Sequence, residues 1–274
     1  MYDINERKLN QVYSSLSLYI QRLIFLIIIL VNLINSENLI IINNYATEIH
    51  LKIKGIGNQN ILNSNFEYYP SEVWVNGHIN NTCNKTCFLS EEINNITLIF
   101  SDEIKTCANM FQDLDNILEI DLSNFDVTHV KSMKNMFRNC LNLTNITLSN
   151  FYTHDLVDMS HMFNNCTNLE TINFGNIDTS SVENMQNLFS YCLKISSIDL
   201  SKFDTSNVTS MFAMFYDCRN LEKINFGNIN TSSVVNMKAI FGHCSNLSEI
   251  DLSNFDTSHV TTFQNMFKNC IKLT

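Results

Sequence analysis

The stretch Leu200-Ser-Lys-Phe-Asp-Thr-Ser-Asn-Val-Thr-Ser-Met-Phe-Ala-Met-Phe-Tyr-Asp-Cys218 decides how the chain is organised, because it recurs. Its Met214-Phe215 pair has counterparts at Met110-Phe111, Met136-Phe137, Met162-Phe163, Leu188-Phe189, Ile240-Phe241 and Met266-Phe267, always 26 residues apart. Self-similarity at a fixed period marks repeat architectures. Other columns keep the same step. Leu114 is followed by Cys140, Cys166, Cys192, Cys218, Cys244 and Cys270, and each is trailed by a Leu or Ile column from Ile117 to Leu273. Beyond these lie Ile120, Ile146, Ile172, Ile198, Ile224 and Ile250, and then Leu122, Leu148, Phe174, Leu200, Phe226 and Leu252.

Each column predicts a local structure. The Ile-x-Leu/Phe stretch alternates apolar and polar residues, the period of a strand. Val208, Met211, Met214, Phe215 and Cys218 are spaced as one face of a helix. The Asp204-Thr205-Ser206 segment between them supplies N-cap residues, and Ser180 with Glu183 fits a capping box. One unit cannot close a core, whereas stacked units turn the apolar columns into continuous ladders. The expected fold is therefore α/β: a right-handed leucine-rich-repeat solenoid, with short parallel strands on one face and helices on the other. Most repeats pair a strand Leu with a following Phe, as in Leu200/Phe203 and Leu252/Phe255, whereas Phe174/Ile177 and Phe226/Ile229 reverse the order. The swap conserves volume, so neighbouring coils are expected to interlock large against small.

Strand positions that point away from the core are Asp121, Thr147, Asn173, Asp199, Asn225 and Asp251. They are candidates for a concave binding face, which is polar, acidic and nearly free of aromatic residues. The pattern from Met-Phe through Leu-Ser-Asn-Phe-Asp-Thr-Ser, best seen at Ser253–Ser258 with Val260, resembles the BspA-like leucine-rich repeat surface proteins, over about Ile104 to Thr274. The resemblance implies an exported protein that adheres to host or matrix proteins. Phe255 stands where ordinary leucine-rich repeats carry Asn, so a buried Asn ladder is not expected. The sequence stops inside a repeat at Leu273, which reads as a fragment or as an end that a partner covers.

Residues 1–36 carry Arg7, Lys8 and Arg22 ahead of an apolar run from Leu23 to Ile34. That order reads as a secretory signal peptide. An uncleaved signal-anchor stays open, with residues 23–42 as the membrane anchor. Both readings place the remainder at the cell surface or outside the cell. Residues 37–103 hold strand-like pieces at Glu48–Lys54, Glu72–Val75 and Ile96–Phe100, and read as a small β-rich N-terminal cap ahead of the array at 104–274. A separate ligand-binding module is the alternative for that region. Asn80, Asn84 and Asn95 begin glycosylation sequons, and Cys83 with Cys87 is the expected disulfide. The ladder cysteines are expected to be buried free thiols.

The column Asp126, Asp178, Asp204 and Asp256 could suggest calcium, but it reads as turn and cap residues. The column Met133, Met159, Met185, Met211 and Met237 reads as core. No catalytic motif, cofactor site or metal site is apparent, so an enzyme is not expected. A net charge of −10 argues against nucleic acid as a partner. The expected function is recognition of, or adhesion to, a protein ligand or a matrix or host surface protein. The alternative is a structural surface coat built by self-association.

Overall fold

A computed structural model describes residues 47–148 and 152–274. Six strands precede the array: β1 (Thr47–Lys54), β2 (Gly57–Asn60), β3 (Glu72–Val75), β4 (His78–Ile79), β5 (Thr86–Leu89) and β6 (Ile93–Phe100). The coils add β7 (Ile117–Asp121), β8 (Asn145–Thr147), β9 (Thr171–Asn173), β10 (Ser197–Asp199) and β11 (Lys223–Asn225). One sheet runs in the order β4-β3-β6-β1-β7-β8-β9. Strand β1 alternates buried and half-exposed residues, so Ile49, Leu51 and Ile53 enter the core. It pairs antiparallel with β6 on one side and with β7 on the other. The first coil therefore has no open strand edge toward the N-terminus, where a bare edge would template aggregation. Phe66, Phe100 and Phe125 close the core beneath this junction through edge-on ring contacts.

The parallel strands form as expected, but the helices do not. No helix occurs among the described residues, so the α/β solenoid with helices along one face is overturned. The segment Met133–Cys140 is a run of turns. Its N–H groups alternate in destination. Those of Met133, Asn135, Phe137 and Asn139 donate to the carbonyls of Asp158, Ser160, Met162 and Asn164 on the next coil, at 2.9–3.0 Å. Those of Met136, Arg138 and Cys140 close turns onto Met133, Asn135 and Phe137, at 3.0–3.1 Å. Two columns take a left-handed backbone: Asn109, Asn135, His161, Asn187, Ala213, Ala239 and Asn265, and Asp113, Asn139, Asn165, Tyr191, Asp217, His243 and Asn269. A left-handed residue every fourth position excludes an α-helix, and Asn and Asp tolerate it best. Successive four-residue turns bring every third and fourth side chain to one side, just as a helix does. The apolar spacing is thus common to both structures.

His161 occupies a left-handed position that Asn fills in four other coils. Burial, reinforced by the positive charges of Arg138 and Lys134, lowers its pKa, and its Nδ1 is buried without a partner. The folded state therefore resists protonation. This stability contribution is complete above the ordinary histidine value, near pH 6.5, and is lost as pH falls through the lowered one. His161→Asn is expected to raise the melting temperature near pH 5 by more than at pH 8. An equal shift at both pH values would refute the assignment.

Four side-chain columns hold successive coils together. The rings of Phe111, Phe137, Phe163, Phe189, Phe215, Phe241 and Phe267 stack in one file, with centroids 5.4–5.7 Å apart and planes within 1–13° of parallel. Met133, Met159, Met185, Met211 and Met237 are all buried beside them. Each ladder thiol donates to the Phe carbonyl of the preceding coil, as Cys192 does to Phe163 at 3.2 Å and Cys218 to Phe189 at 3.0 Å. Burial pushes these thiols far up, so they stay protonated donors. Leu114 begins the column because no earlier coil offers it such a carbonyl. Among the threonines, Thr179 donates to Asp204 at 2.9 Å, Thr205 to Asn230 at 2.6 Å and Thr231 to Asp256 at 2.9 Å.

The Asp column folds turns. Asp126, Asp178, Asp204 and Asp256 accept from the N–H two residues on at 2.9–3.0 Å, and Asn230 does the same. The supposed N-cap segment is therefore an Asx turn.

The two ends of each coil differ in continuity. Isolated parallel bridges link Ser132, Asp158, Asn184, Ser210, Asn236 and Thr262 in an unbroken row. The strand row breaks. Strands β8 and β9 pair, as do β10 and β11, but β9 and β10 do not. The break follows Phe174, whose ring packs against Phe163 and Phe189 and meets Phe203 edge-on at 5.0 Å. A large ring at a strand position occupied by Leu122, Leu148 and Leu200 elsewhere wedges the next coil away. Leu122, Leu148 and Leu200 donate their N–H to Thr147, Asn173 and Asn225 on the following coil. Phe174 and Phe226 have no such bond. On its other side the Phe226 coil packs closely. Gly227, with φ +55°, lies so near Ser201 that a Cβ would come within 2.6 Å of its Cα. The coils of β7, β8 and β9 therefore form one tight group and those of β10 and β11 another, separated by a looser junction.

Candidate functional site

The six strand-face residues lie in one row, half-buried at Asp121 and Thr147 and exposed at Asn173, Asp199, Asn225 and Asp251. Register places Asp121 opposite Thr147 and Thr147 opposite Asn173, and likewise Asp199 opposite Asn225. These side chains also end the strands. Asp121, Asn173, Asp199, Asn225 and Asp251 each accept from the N–H two residues on, at 2.9–3.1 Å. Hydrogen bonds from Ser201 hold the Asp199 carboxyl below the usual carboxylate range. Those from Ser253 do the same for Asp251. Both groups therefore remain charged at mildly acidic pH. Asn225 Nδ2 donates to Asp199 Oδ1 at 3.1 Å across a paired junction.

The face extends beyond the repeats. His50 lies opposite Asp121, and Lys52 meets Glu119 at 3.1 Å. Together with Asn95, Thr97, Asn145 and Thr147 they line a shallow depression over β6, β1, β7 and β8. Sequence reasoning omitted this part because it did not pair β1 with β7. The polar residues alternating through Glu48–Lys54 were the available signal. A second depression, about 240 Å³, lies at the unpaired β9–β10 junction, between Ile172, Asn173 and Phe174 on one side and Ile198, Asp199, Lys202 and Phe203 on the other. Partial exposure of Ile172 and Phe174 was also missed, because their columns read as core.

With this geometry in view, the family described as "Mycoplasma protein of unknown function, DUF285" matches residues 105–223 and 193–274, more than half of the chain. The chain belongs to this family. The description "BspA type Leucine rich repeat region (6 copies)" matches residues 46–159. The DUF285 chain thus carries BspA-type leucine-rich repeats, and that match begins within the strands that precede the 26-residue array. No curated protein and no solved structure matches it.

Of the remaining candidates of the DUF285 chain, Asn95 lines the depression that extends the strand face, opposite Lys52. Cys83 and Cys87 are bonded to each other, with Cα atoms 4.6 Å apart. The ladder cysteines are free. Asn84 and Asn95 are exposed and Asn80 is half-buried, with its Oδ1 accepting from the Thr82 hydroxyl at 2.7 Å. Among the described residues, no group of three or more His, Cys, Asp or Glu side chains is arranged to hold a metal ion. The signal or anchor segment, including residues 23–42, lies outside the described residues.

Proposed function

We propose that this chain is an exported or cell-surface repeat protein that recognises a protein ligand, such as a matrix or host surface protein, through its strand face. The observation that carries this reading is the exposed row Asn173, Asp199, Asn225 and Asp251, in which strand pairing fixes Asp199 opposite Asn225 and the continuous ring file keeps successive coils stacked. A fixed lattice of polar groups loses little freedom on binding, which favours affinity spread over a broad surface. The BspA-type repeat match supports the same reading.

The test uses the full chain on wells coated with a basement-membrane matrix extract. The variant Asp199→Asn with Asp251→Asn removes two charges while keeping the acceptor each strand-end turn needs; lysine would break those turns as well. Retention is expected to fall about tenfold for the variant. Undiminished retention would discredit the face. Concentration-dependent scattering of the chain alone, without retention on the extract, would favour the self-associating coat instead.

A further inference from the structure

The strand row opens after β9 and again after β11, and the two openings share several features. At the first, Phe174 N–H and the Asp199 carbonyl form no backbone bond, although their counterparts Leu148 N–H and Asn173 carbonyl are bonded at 2.8 Å. At the second, Phe226 N–H and the Asp251 carbonyl are likewise unbonded. Each junction is instead stitched at its rim by a side chain from the following coil. Lys202 Nζ donates to the Gly175 carbonyl at 3.2 Å, and Asn254 Nδ2 to the Gly227 carbonyl at 3.3 Å. The ring pair Phe174–Phe203, at 5.0 Å, lines the first cleft, and the second junction carries the pair Phe226–Phe255 at 5.1 Å. Lining residues are Ile172 and Ile198 in the first cleft, and Ile224 and Ile250 in the second. Asp199 sits at the first mouth with Lys202, and Asp251 and Glu249 sit at the second with Lys223.

The clefts are thus slots of mixed apolar and polar lining, each with an unbonded backbone donor and acceptor and a carboxylate. The ring file advances 5.5 and 5.7 Å over the two intervening coils, which sets the slots about 11 Å apart. A β-strand offers same-face side chains at about 6.7 Å or 13 Å. A polyproline II segment offers them every three residues, at about 9.3 Å, with its backbone groups free to bond.

We propose that the two clefts bind one extended, basic segment of a protein ligand, in polyproline II form, with an apolar side chain at every third position and Lys or Arg between. Apolar side chains enter the slots, the segment's backbone meets Phe174 N–H and the Asp199 carbonyl, and its cations face Asp199, Asp251 and Glu249. The proposal rests on the recognition reading above and names its ligand class.

The probe is a peptide of repeated Leu-Pro-Lys triplets, titrated into the full chain by fluorescence anisotropy. Controls are Leu-Pro-Glu triplets and an alternating Leu-Lys peptide. The triplet-basic peptide is expected to bind saturably and to weaken with salt, with both controls at least about tenfold weaker. Reversing the ring order in both wedge coils, Phe174→Leu with Ile177→Phe and Phe226→Leu with Ile229→Phe, is expected to close the slots and lower affinity about tenfold. Asp199→Asn with Asp251→Asn serves if the repacked variant does not fold, and is expected to flatten the salt dependence. Equal binding of the triplet and alternating peptides, or full binding by a folded repacked variant, would overturn the proposal. Retention on matrix extract without peptide binding overturns the clefts alone. Failure of both assays overturns the recognition reading too.

Discussion

Replacing Phe189 by alanine is expected to cost the array about 3–5 kcal/mol, the range for truncating a fully buried aromatic side chain. The ring is fully buried and stacks on Phe163 at 5.6 Å and on Phe215 at 5.5 Å, so its loss leaves a void between two coils. Arrays of this kind are stabilised by nearest-neighbour interfaces. A hole in the middle should therefore uncouple the coils on either side as well as weaken them. Urea unfolding followed by circular dichroism should show a lower midpoint and a shallower or two-step transition. Phe267→Ala, in a coil where that ring is only half-buried, should cost less than half as much. If both variants unfold at the same midpoint as the parent, the ring file does not hold the array together.

Leu51→Asp should be at least as damaging. Leu51 is buried at the centre of β1, opposite Ile96 on one neighbouring strand and Ile120 on the other. A carboxylate there has no partner, and burying an unpaired charge is among the few changes that exceed about 4 kcal/mol. The expected outcome is separation of β1 from β7, which bares the edge of the first coil. Light scattering should then rise on warming, below the temperature at which circular dichroism changes, because an open strand edge recruits other chains. Lys52→Gln, on the solvent side of the same strand, removes an exposed ion pair and should change stability by less than about 1 kcal/mol. Equal behaviour of the two variants would mean that β1 does not seal the array.

The repeat period, the columns and the strands were legible because each depends on a spacing that the letters display. Helix and turn ribbon were not distinguishable by apolar spacing, since Met133, Met136, Phe137 and Cys140 face one way in either. The distinguishing signal was polar: Asn at 109, 135, 187 and 265, and again at 139, 165 and 269, all left-handed in the structure. Read as composition, those asparagines carried no information; read by column, they mark where a helix cannot continue. The exchange of ring order at Phe174 and Phe226 was visible as an alternation of volume. Its effect on the strand row was not, because whether a large side chain is absorbed or pushes the next coil away depends on three-dimensional fit. The strand-face residues were found by alternation, but their part in ending each strand emerged only with the hydrogen bonds from Ser201, Ser253 and their equivalents.

The grouping of coils also bears on how such a gene can change in length. Loss of the single unit that carries Leu200 would bring the Phe174 coil against the Phe226 coil, a contact with no counterpart among the described coils, whereas an added Leu200-type unit would only repeat the contact already made between the Leu122 and Leu148 coils. Slippage during replication should therefore be tolerated unequally, and lineages carrying this array should not place two units of the Phe174 kind side by side.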